Sequence, residues 1–92
     1  GFVSWVINHS GWNVGRLGAQ GLYNICAPTG APRPGDLVFF KGTYDAPNPD
    51  GVTHCGIYVG DGMMIHCGDP ISYANLNSNY WQSHFYVYGR LP

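Results

Sequence analysis

Charged residues are scarce in this 92-residue chain, since only 10% are Asp, Glu, Lys or Arg, against roughly 25% in an average globular domain. The formal net charge of −1 provides no field that would attract a phosphate backbone or an anionic leaflet. We therefore expect no nucleic-acid partner. No run approaches the roughly 18 apolar residues of a membrane span, and the first residues lack the basic start and apolar stretch of a signal peptide.

Cysteine is also rare. The three cysteines are Cys26, Cys55 and Cys67, an odd number at spacings unlike those of a small disulfide framework. They do not indicate the redox compartment.

Apolar and turn-forming residues are abundant. Hydrophobic residues make up 45% of the chain and aromatic residues 15%, which is enough apolar surface to argue against intrinsic disorder. With 14 glycines and 7 prolines the fold must be rich in turns. The length allows one compact domain and excludes a multidomain enzyme with its own dinucleotide-binding half.

Local patterns predict two short helices followed by strands linked mostly by hairpins. Apolar spacing indicates helices over Phe2–Asn8 and Ala19–Ile25, the second ended by a turn at 27–30. Strands are predicted over 36–40, 52–59, 63–67 and 84–90, with a loop over 44–51 and a helical turn within 75–82. The fold class expected is α+β, with the N-terminal helices packed on a small antiparallel sheet.

A predicted hairpin carries two histidines twelve residues apart, one on each arm. If 60–62 forms a three-residue loop with Gly62 in the left-handed conformation, Val59 pairs with Met63 and Gly56 lies opposite His66. His54 is then the diagonal neighbour of His66. An odd-length loop puts both imidazoles on the same side of the sheet, whereas a two-residue loop would separate them.

Two histidines at this spacing have three interpretations. One ring can orient the other as a general base, as a nucleophilic hydrolase requires. Both can instead be half-buried side chains that bond to the backbone. The pairs His54-Cys55 and His66-Cys67 also contain zinc ligands, but neighbouring strand residues point to opposite faces, so the four groups do not converge on one ion.

The cysteines are weak candidates for a nucleophile. Cys55 and Cys67 are expected to face the helices as small buried apolar residues. Cys26 ends a helix and has no base nearby in the sequence.

The order of several motifs resembles the NlpC-type cell-wall cysteine peptidases. The motifs are Pro34-Gly35 followed by Asp-Leu-Val-Phe-Phe over 36–40, then His54-x-Gly56-Ile57-Tyr58-x-Gly60, then Met64-Ile65-His66. The resemblance covers nearly the whole chain and implies a papain-like fold. In detail the chain is similar to the C-terminal peptidase domain of the two-domain wall hydrolases encoded on conjugative elements of Gram-positive bacteria. That likeness implies an N-terminal glycan-cleaving domain in the full protein.

The resemblance assigns His54 as the general base and His66 as the residue that orients it. The family nucleophile is a Cys in an Asp-Cys-Ser-Gly-Phe motif at the start of a helix, and this chain opens with Gly1-Phe2. We therefore expect 1–92 to be a peptidase domain truncated just after its nucleophile, which lies two positions before Gly1. A thiolate at a helix N-terminus is stabilised by the helix dipole and by free amide groups.

By resemblance, the substrate is the stem peptide of peptidoglycan, cut at the bond from γ-D-glutamate to the diamino acid. The reaction proceeds through an acyl-enzyme and needs no cofactor. The implied location is extracellular or at the cell wall. Arg16 and Gln20 match an Arg-x-x-x-Gln stretch of the family, and Arg16 and the amphipathic Trp12 are the candidate substrate-binding residues.

Two alternatives stay open on the sequence. The chain can be a non-catalytic wall-binding module that keeps the cleft without a nucleophile. It can also be an amidase or acyltransferase of the same papain-like superfamily, because a Cys-His arrangement serves several acyl transfers.

Overall fold

A computed structural model describes residues 2–43, 51–68 and 71–92. The loop expected over 44–51 falls outside these residues except for its last position. In chain order the elements are α1 (Phe2–Asn8), α2 (Ala19–Ile25), β1 (Ala27–Thr29), β2 (Leu37–Lys41), β3 (Val52–Gly60), β4 (Met63–His66), β5 (Ser72–Asn75), α3 (Asn79–His84) and β6 (Phe85–Arg90). Among the described residues, no helix has the length and apolar character needed to span a membrane.

The strands of the described residues form one antiparallel sheet in the order β1-β6-β2-β3-β4-β5. β2 lies near its centre, and its residues Leu37, Val38, Phe39 and Phe40 are all fully buried. A strand covered on both faces has no need for polar alternation, which explains the continuous apolar run in the sequence. The expected α+β class is confirmed.

Each face of the sheet has its own apolar cluster. On one face, side chains of β2 and β3 pack against the N-terminal helices; the buried members are Val3, Ile7, Leu22, Leu37, Phe39, Val52 and Cys55. On the other face, Val38, Phe40, Met64 and Leu76 form a second cluster, with Trp81 of α3 packed against it. The helices α1 and α2 therefore lie on one side of the sheet and α3 on the other.

An ion pair between a buried carboxylate and a partly exposed guanidinium joins the start of β2 to the end of β6. Arg90 donates through Nε and Nη2 to the two carboxylate oxygens of Asp36, over 3.0 and 2.8 Å. The backbone N–H of Arg33 donates to the same carboxylate. These bonds, with the one from Arg90 as the main cause, hold the pKa of Asp36 below its ordinary value.

Both edge strands, β1 and β5, lie where the sequence predicted no strand. Residues 27–30 were expected to be a turn, but Ala27–Thr29 forms β1 and pairs with β6. Pro28 is tolerated because β1 is an edge strand with a partner on one side only. β5 has mostly exposed residues, so it lacks the apolar alternation that marks a half-buried strand.

Each predicted strand has at least one boundary displaced by one residue: the strand over 36–40 lies at Leu37–Lys41, and the strand over 52–59 at Val52–Gly60. The strand over 63–67 ends one residue earlier, at His66. His84 was placed in the last strand, but it is the final residue of α3. That helix begins at Asn79, inside the range 75–82 in which a helical turn was predicted, and extends two residues beyond it. Both N-terminal helices have the predicted bounds.

Candidate active site

The hairpin of β3 and β4 reaches the predicted register by a different route. Its loop contains two residues, Asp61 and Gly62, both with positive φ (56° and 72°), as a tight hairpin turn requires. Gly60 pairs with Met63, so the predicted pairing of Val59 with Met63 is wrong. A bulge between Tyr58 and Gly60 adds the one residue that the short loop lacks. Gly56 therefore lies opposite His66, as expected.

This register brings the two predicted histidines into direct contact. Nε2 of His54 lies 2.9 Å from Nδ1 of His66, and the rings are nearly perpendicular, at 89°. One nitrogen must donate and the other accept. If His54 donates from Nε2, its Nδ1 keeps a lone pair and can accept a proton. Among the described residues, no hydrogen-bond partner satisfies that Nδ1.

Burial makes both imidazoles weaker bases. It lowers the pKa of His54, and the neighbouring His66 ring lowers it further because two positive charges would repel. Burial alone lowers the pKa of His66, which is 7% exposed. Both rings are therefore neutral at pH 7, which is the form that a general base requires.

Contacts beside His54 hold the first residues of β3 in place. The side-chain oxygen of Gln20 accepts a 2.7 Å hydrogen bond from the backbone N–H of Val52. The hydroxyls of Thr43 and Thr53 lie 2.7 Å apart. His54 pairs with Phe40 of the buried strand β2. Gln20 thus ties α2 to the strand that carries the base, a role that the sequence motif did not indicate.

A cavity of about 190 Å³ links His54 to the two N-terminal helices. Its walls come from the start of α1, from the segment that leads into α2, and from β3; among them are Phe2, Ser4, Gly18 and Thr53. His54 reaches the cavity because it is the third residue of β3, near one end of the sheet. The first residues of α1 and His54 therefore border the same space.

The two candidate substrate-binding residues, Arg16 and Trp12, line different cavities. Arg16 is exposed and lines a neighbouring cavity of about 340 Å³, which shares Ser4 with the first one. Trp12 lines another cavity, together with Leu37 and Leu91, and its Nε1 donates to the carbonyl of Pro92. The structure thus brings together His54 and His66, places Arg16 next to their cavity, and does not place Trp12 there.

All three cysteines are unpaired. Cys55 is buried on the helix side as expected, and burial raises the pKa of its thiol to about 12. Burial raises the pKa of Cys26 to about 11. Cys67 was expected to be buried, but it is exposed and lines the cavity of His54, because β4 ends before it. Within the described ranges, no group of three His, Cys, Asp or Glu side chains has the arrangement of a metal site.

Trp81 is the main contributor to the site that the sequence analysis did not connect with the histidines. Its indole stacks on the His54 ring at 5.7 Å and 21°, and meets the His66 ring edge-on at 5.0 Å and 81°. It lies on α3, and no short-range pattern links residue 81 to residues 54 and 66. Only the packing of α3 on the sheet brings the three rings together.

Comparison with known proteins decides the family. A model of the NlpC/P60 family matches residues 1–90. This chain belongs to the NlpC/P60 family. The resemblance drawn from the motifs is thereby confirmed.

Two curated relatives of this NlpC/P60 domain come from Bacillus subtilis (strain 168). It is 48% identical over 58 residues to the bifunctional muramidase/DL-endopeptidase CwlT, a match that covers 62% of this chain and 17% of that protein. It is 35% identical over 86 residues to the probable peptidoglycan endopeptidase LytE, covering 92% of this chain and 24% of LytE. Each matched segment thus spans less than a quarter of the relative's own length.

A solved structure shares the fold. A crystal structure described as similar to lipoprotein, NLP/P60 family, from Staphylococcus aureus subsp. aureus Mu50 superposes with a TM-score of 0.86 at 36% identity. The match covers 97% of this chain and 30% of that one.

Proposed function

We propose that this NlpC/P60 domain is the peptidase part of a cell-wall hydrolase that cleaves peptidoglycan stem peptides with a cysteine nucleophile. The observation that carries the proposal is the 2.9 Å contact between Nε2 of His54 and Nδ1 of His66 at the border of a cavity. A base whose second nitrogen is held by a polar partner is the arrangement that activates a thiol.

In this mechanism His54 and His66 have different roles. His54 accepts the thiol proton at Nδ1 while its Nε2–H donates to His66, which fixes the tautomer and the ring plane. The thiolate attacks the amide carbonyl, His54 protonates the departing amine, and a thioester remains on the enzyme. Water then attacks the thioester with His54 as base, which releases the acid and restores the thiol.

The nucleophile is proposed to be a Cys two positions before Gly1, at the start of α1. Phe2 and Ser4 of α1 line the cavity that contains His54, so a residue just ahead of the helix approaches the same space. Cys55 and Cys26 are poor alternatives because burial raises the pKa of each thiol, to about 12 and about 11. A thiol with such a pKa is almost entirely protonated at pH 7.

The relatives support the choice of substrate. LytE is named as a probable peptidoglycan endopeptidase and CwlT as a muramidase and DL-endopeptidase. We extend this to a bond between γ-D-glutamate and the diamino acid, to an extracellular or wall-associated location, and to a glycan-cleaving domain elsewhere in the full protein. Arg16 remains a candidate substrate contact because its cavity adjoins that of His54.

The test uses the intact protein and purified muropeptides, with products identified by mass spectrometry. We expect cleavage between D-glutamate and the diamino acid, loss of hydrolysis in His54→Ala, and a smaller loss in His66→Ala. Tyr73→Ala is the control, since Tyr73 is an exposed residue on the edge strand β5. The gene sequence before Gly1 gives the identity of the proposed nucleophile.

Other outcomes would point to the alternatives. Release of the whole stem peptide from the sugar would indicate an amidase. Wall binding without hydrolysis, together with a residue other than Cys at the proposed position, would indicate a non-catalytic binding module. Full activity in His54→Ala would contradict the role of the base.

A further inference from the structure

Trp81 is in contact with three aromatic rings of the sheet at the base of the candidate site. Its ring centroid lies 4.7 Å from Phe40, 5.0 Å from His66 and 5.7 Å from His54. The indole is nearly parallel to the His54 ring and nearly perpendicular to the His66 ring, at 21° and 81°. One side chain therefore restricts both members of the hydrogen-bonded pair.

The position of Trp81 is fixed by contacts that do not involve the histidine pair. The amide of Gln82 donates to the carbonyl of Leu76 over 2.7 Å, just before α3 begins. At the other end of α3, Nδ1 of His84 lies 2.8 Å from the carbonyl of Lys41 in β2. Tyr80 meets the Trp81 ring edge-on at 4.9 Å. The indole is thus an anchored surface against which the imidazoles rest.

An imidazole held by a single hydrogen bond can still turn about its Cβ–Cγ bond. Rotation of His54 would break the bond from Nε2 to His66 and would also lose its parallel contact with the indole. Rotation of His66 would disturb an edge-on contact with the same indole. A large flat ring restrains both motions, whereas a small aliphatic side chain would leave space for them.

We propose that Trp81 is a positioning residue that holds His54 and His66 in their hydrogen-bonded tautomer and ring orientation. The effect on hydrolysis rests on the proposed function, whereas the effect on the imidazoles does not. Trp81 acts through the two histidines and is assigned no contact with substrate.

The test compares Trp81→Ala and Trp81→Phe with the wild type in the intact protein. Imidazole nitrogen spectra report the tautomer of each histidine, and pH titration of the same signals reports how the two rings are coupled. Steady-state hydrolysis of muropeptides separates kcat from KM. Tyr73→Ala is the control, because Tyr73 is a 67% exposed aromatic residue on the edge strand β5.

We expect Trp81→Ala to mix the tautomers of both histidines and to shift their titration. It should also lower kcat about tenfold or more, with KM changed less than threefold, because small displacements of a catalytic group reduce the rate by large factors. Trp81→Phe retains a ring and should show a smaller change of the same kind. Circular dichroism checks that each variant is folded, and Trp81→Phe decides the question if the alanine variant unfolds.

Unchanged nitrogen spectra and titration in folded Trp81→Phe and Trp81→Ala would overturn the proposal. A rise in KM alone, with unchanged spectra, would also overturn it, since it would make Trp81 a substrate contact. If the wild type fails to cleave muropeptides, the proposed function fails, while the imidazole spectra still decide the role of Trp81.

Discussion

A Cβ atom placed on Gly56 would lie 3.2 Å from the Cβ atom of His66, because the two residues face each other across β3 and β4. It would also lie 2.6 Å from Sδ of Met64 and 3.1 Å from the carbonyl oxygen of Ile65. The strand that carries His66 thus approaches β3 so closely that position 56 has no room for a side chain. The glycine in the His54-x-Gly56 motif serves the packing of the hairpin.

The first prediction concerns this close approach. Gly56→Ala should lower the free energy of unfolding by about 1–3 kcal/mol, as expected for overpacking in a filled interior, and should displace His66 from His54. Urea unfolding measures the first effect and imidazole spectra the second. Gly30→Ala is the control, because a Cβ there meets nothing within 4 Å. Equal stability of the two variants would contradict the packing argument.

The second prediction concerns the protonation of the histidine pair. Folding lowers the pKa of both His54 and His66. At a pH between these folded pKa values and the unfolded pKa of about 6.5, the unfolded chain therefore binds more protons than the folded chain. The free energy of unfolding should therefore decrease as pH falls from about 6.5 through the folded pKa values. Urea titrations at a series of pH values measure this slope.

One variant tests both causes of the lowered pKa of His54 together. His66→Ala removes a neighbouring charge and exposes the site, so it should raise the pKa of His54 toward its ordinary value. His9→Ala should leave the titration of the pair unchanged, since His9 stacks on Trp5 in α1. A pKa of His54 that stays the same after loss of His66 would show that the rings do not interact.

The third prediction ranks the thiols. In the folded protein Cys67 should react first with a thiol reagent because it is exposed, and Cys55 last because it is buried and its pKa is raised to about 12. Cys26, with a pKa raised to about 11, should fall between them. Peptide mapping by mass spectrometry after timed labelling gives the order. Cys67→Ser should keep hydrolytic activity; its loss would make Cys67 the nucleophile.

The fourth prediction concerns the pair of Asp36 and Arg90. Asp36→Asn should lower the free energy of unfolding by about 1–2 kcal/mol at pH 7, because it weakens the charge-assisted hydrogen bonds from Arg90. The effect is modest because the Arg90 side chain is partly exposed to solvent. Folding lowers the pKa of Asp36. The stabilisation by this carboxylate is therefore complete above the unfolded pKa of about 3.9 and is lost as the pH falls through the folded pKa.

The difference between wild type and Asp36→Asn should therefore shrink in acid. Asp61→Asn is the control, since Asp61 is an exposed turn residue and Asn tolerates its positive φ of 56°. A difference between wild type and Asp36→Asn that stays constant down to pH 2 would exclude the carboxylate as its source.

Strong local sequence patterns predicted most of the fold. The apolar spacing of α1 and α2 and the run of Leu37 to Phe40 predicted their elements closely, because burial of one face, or of both, leaves a direct mark on the sequence. The edge strands β1 and β5 left no such mark, because exposed strands are held by backbone hydrogen bonds to a neighbour and have little apolar surface to bury.

The sequence by itself determined that His54 and His66 lie on the two arms of one hairpin, but the number of residues between them sets their parity only together with the loop length and any bulge. Tertiary structure decided how that parity arises, through a two-residue turn and a bulge instead of a three-residue loop. It also decided which groups surround the pair. Trp81 and Gln20 reach the site only through packing of distant segments, and such contacts depend on the whole fold and have no local signature. Cys67 follows His66 directly and lines the cavity because β4 ends before it.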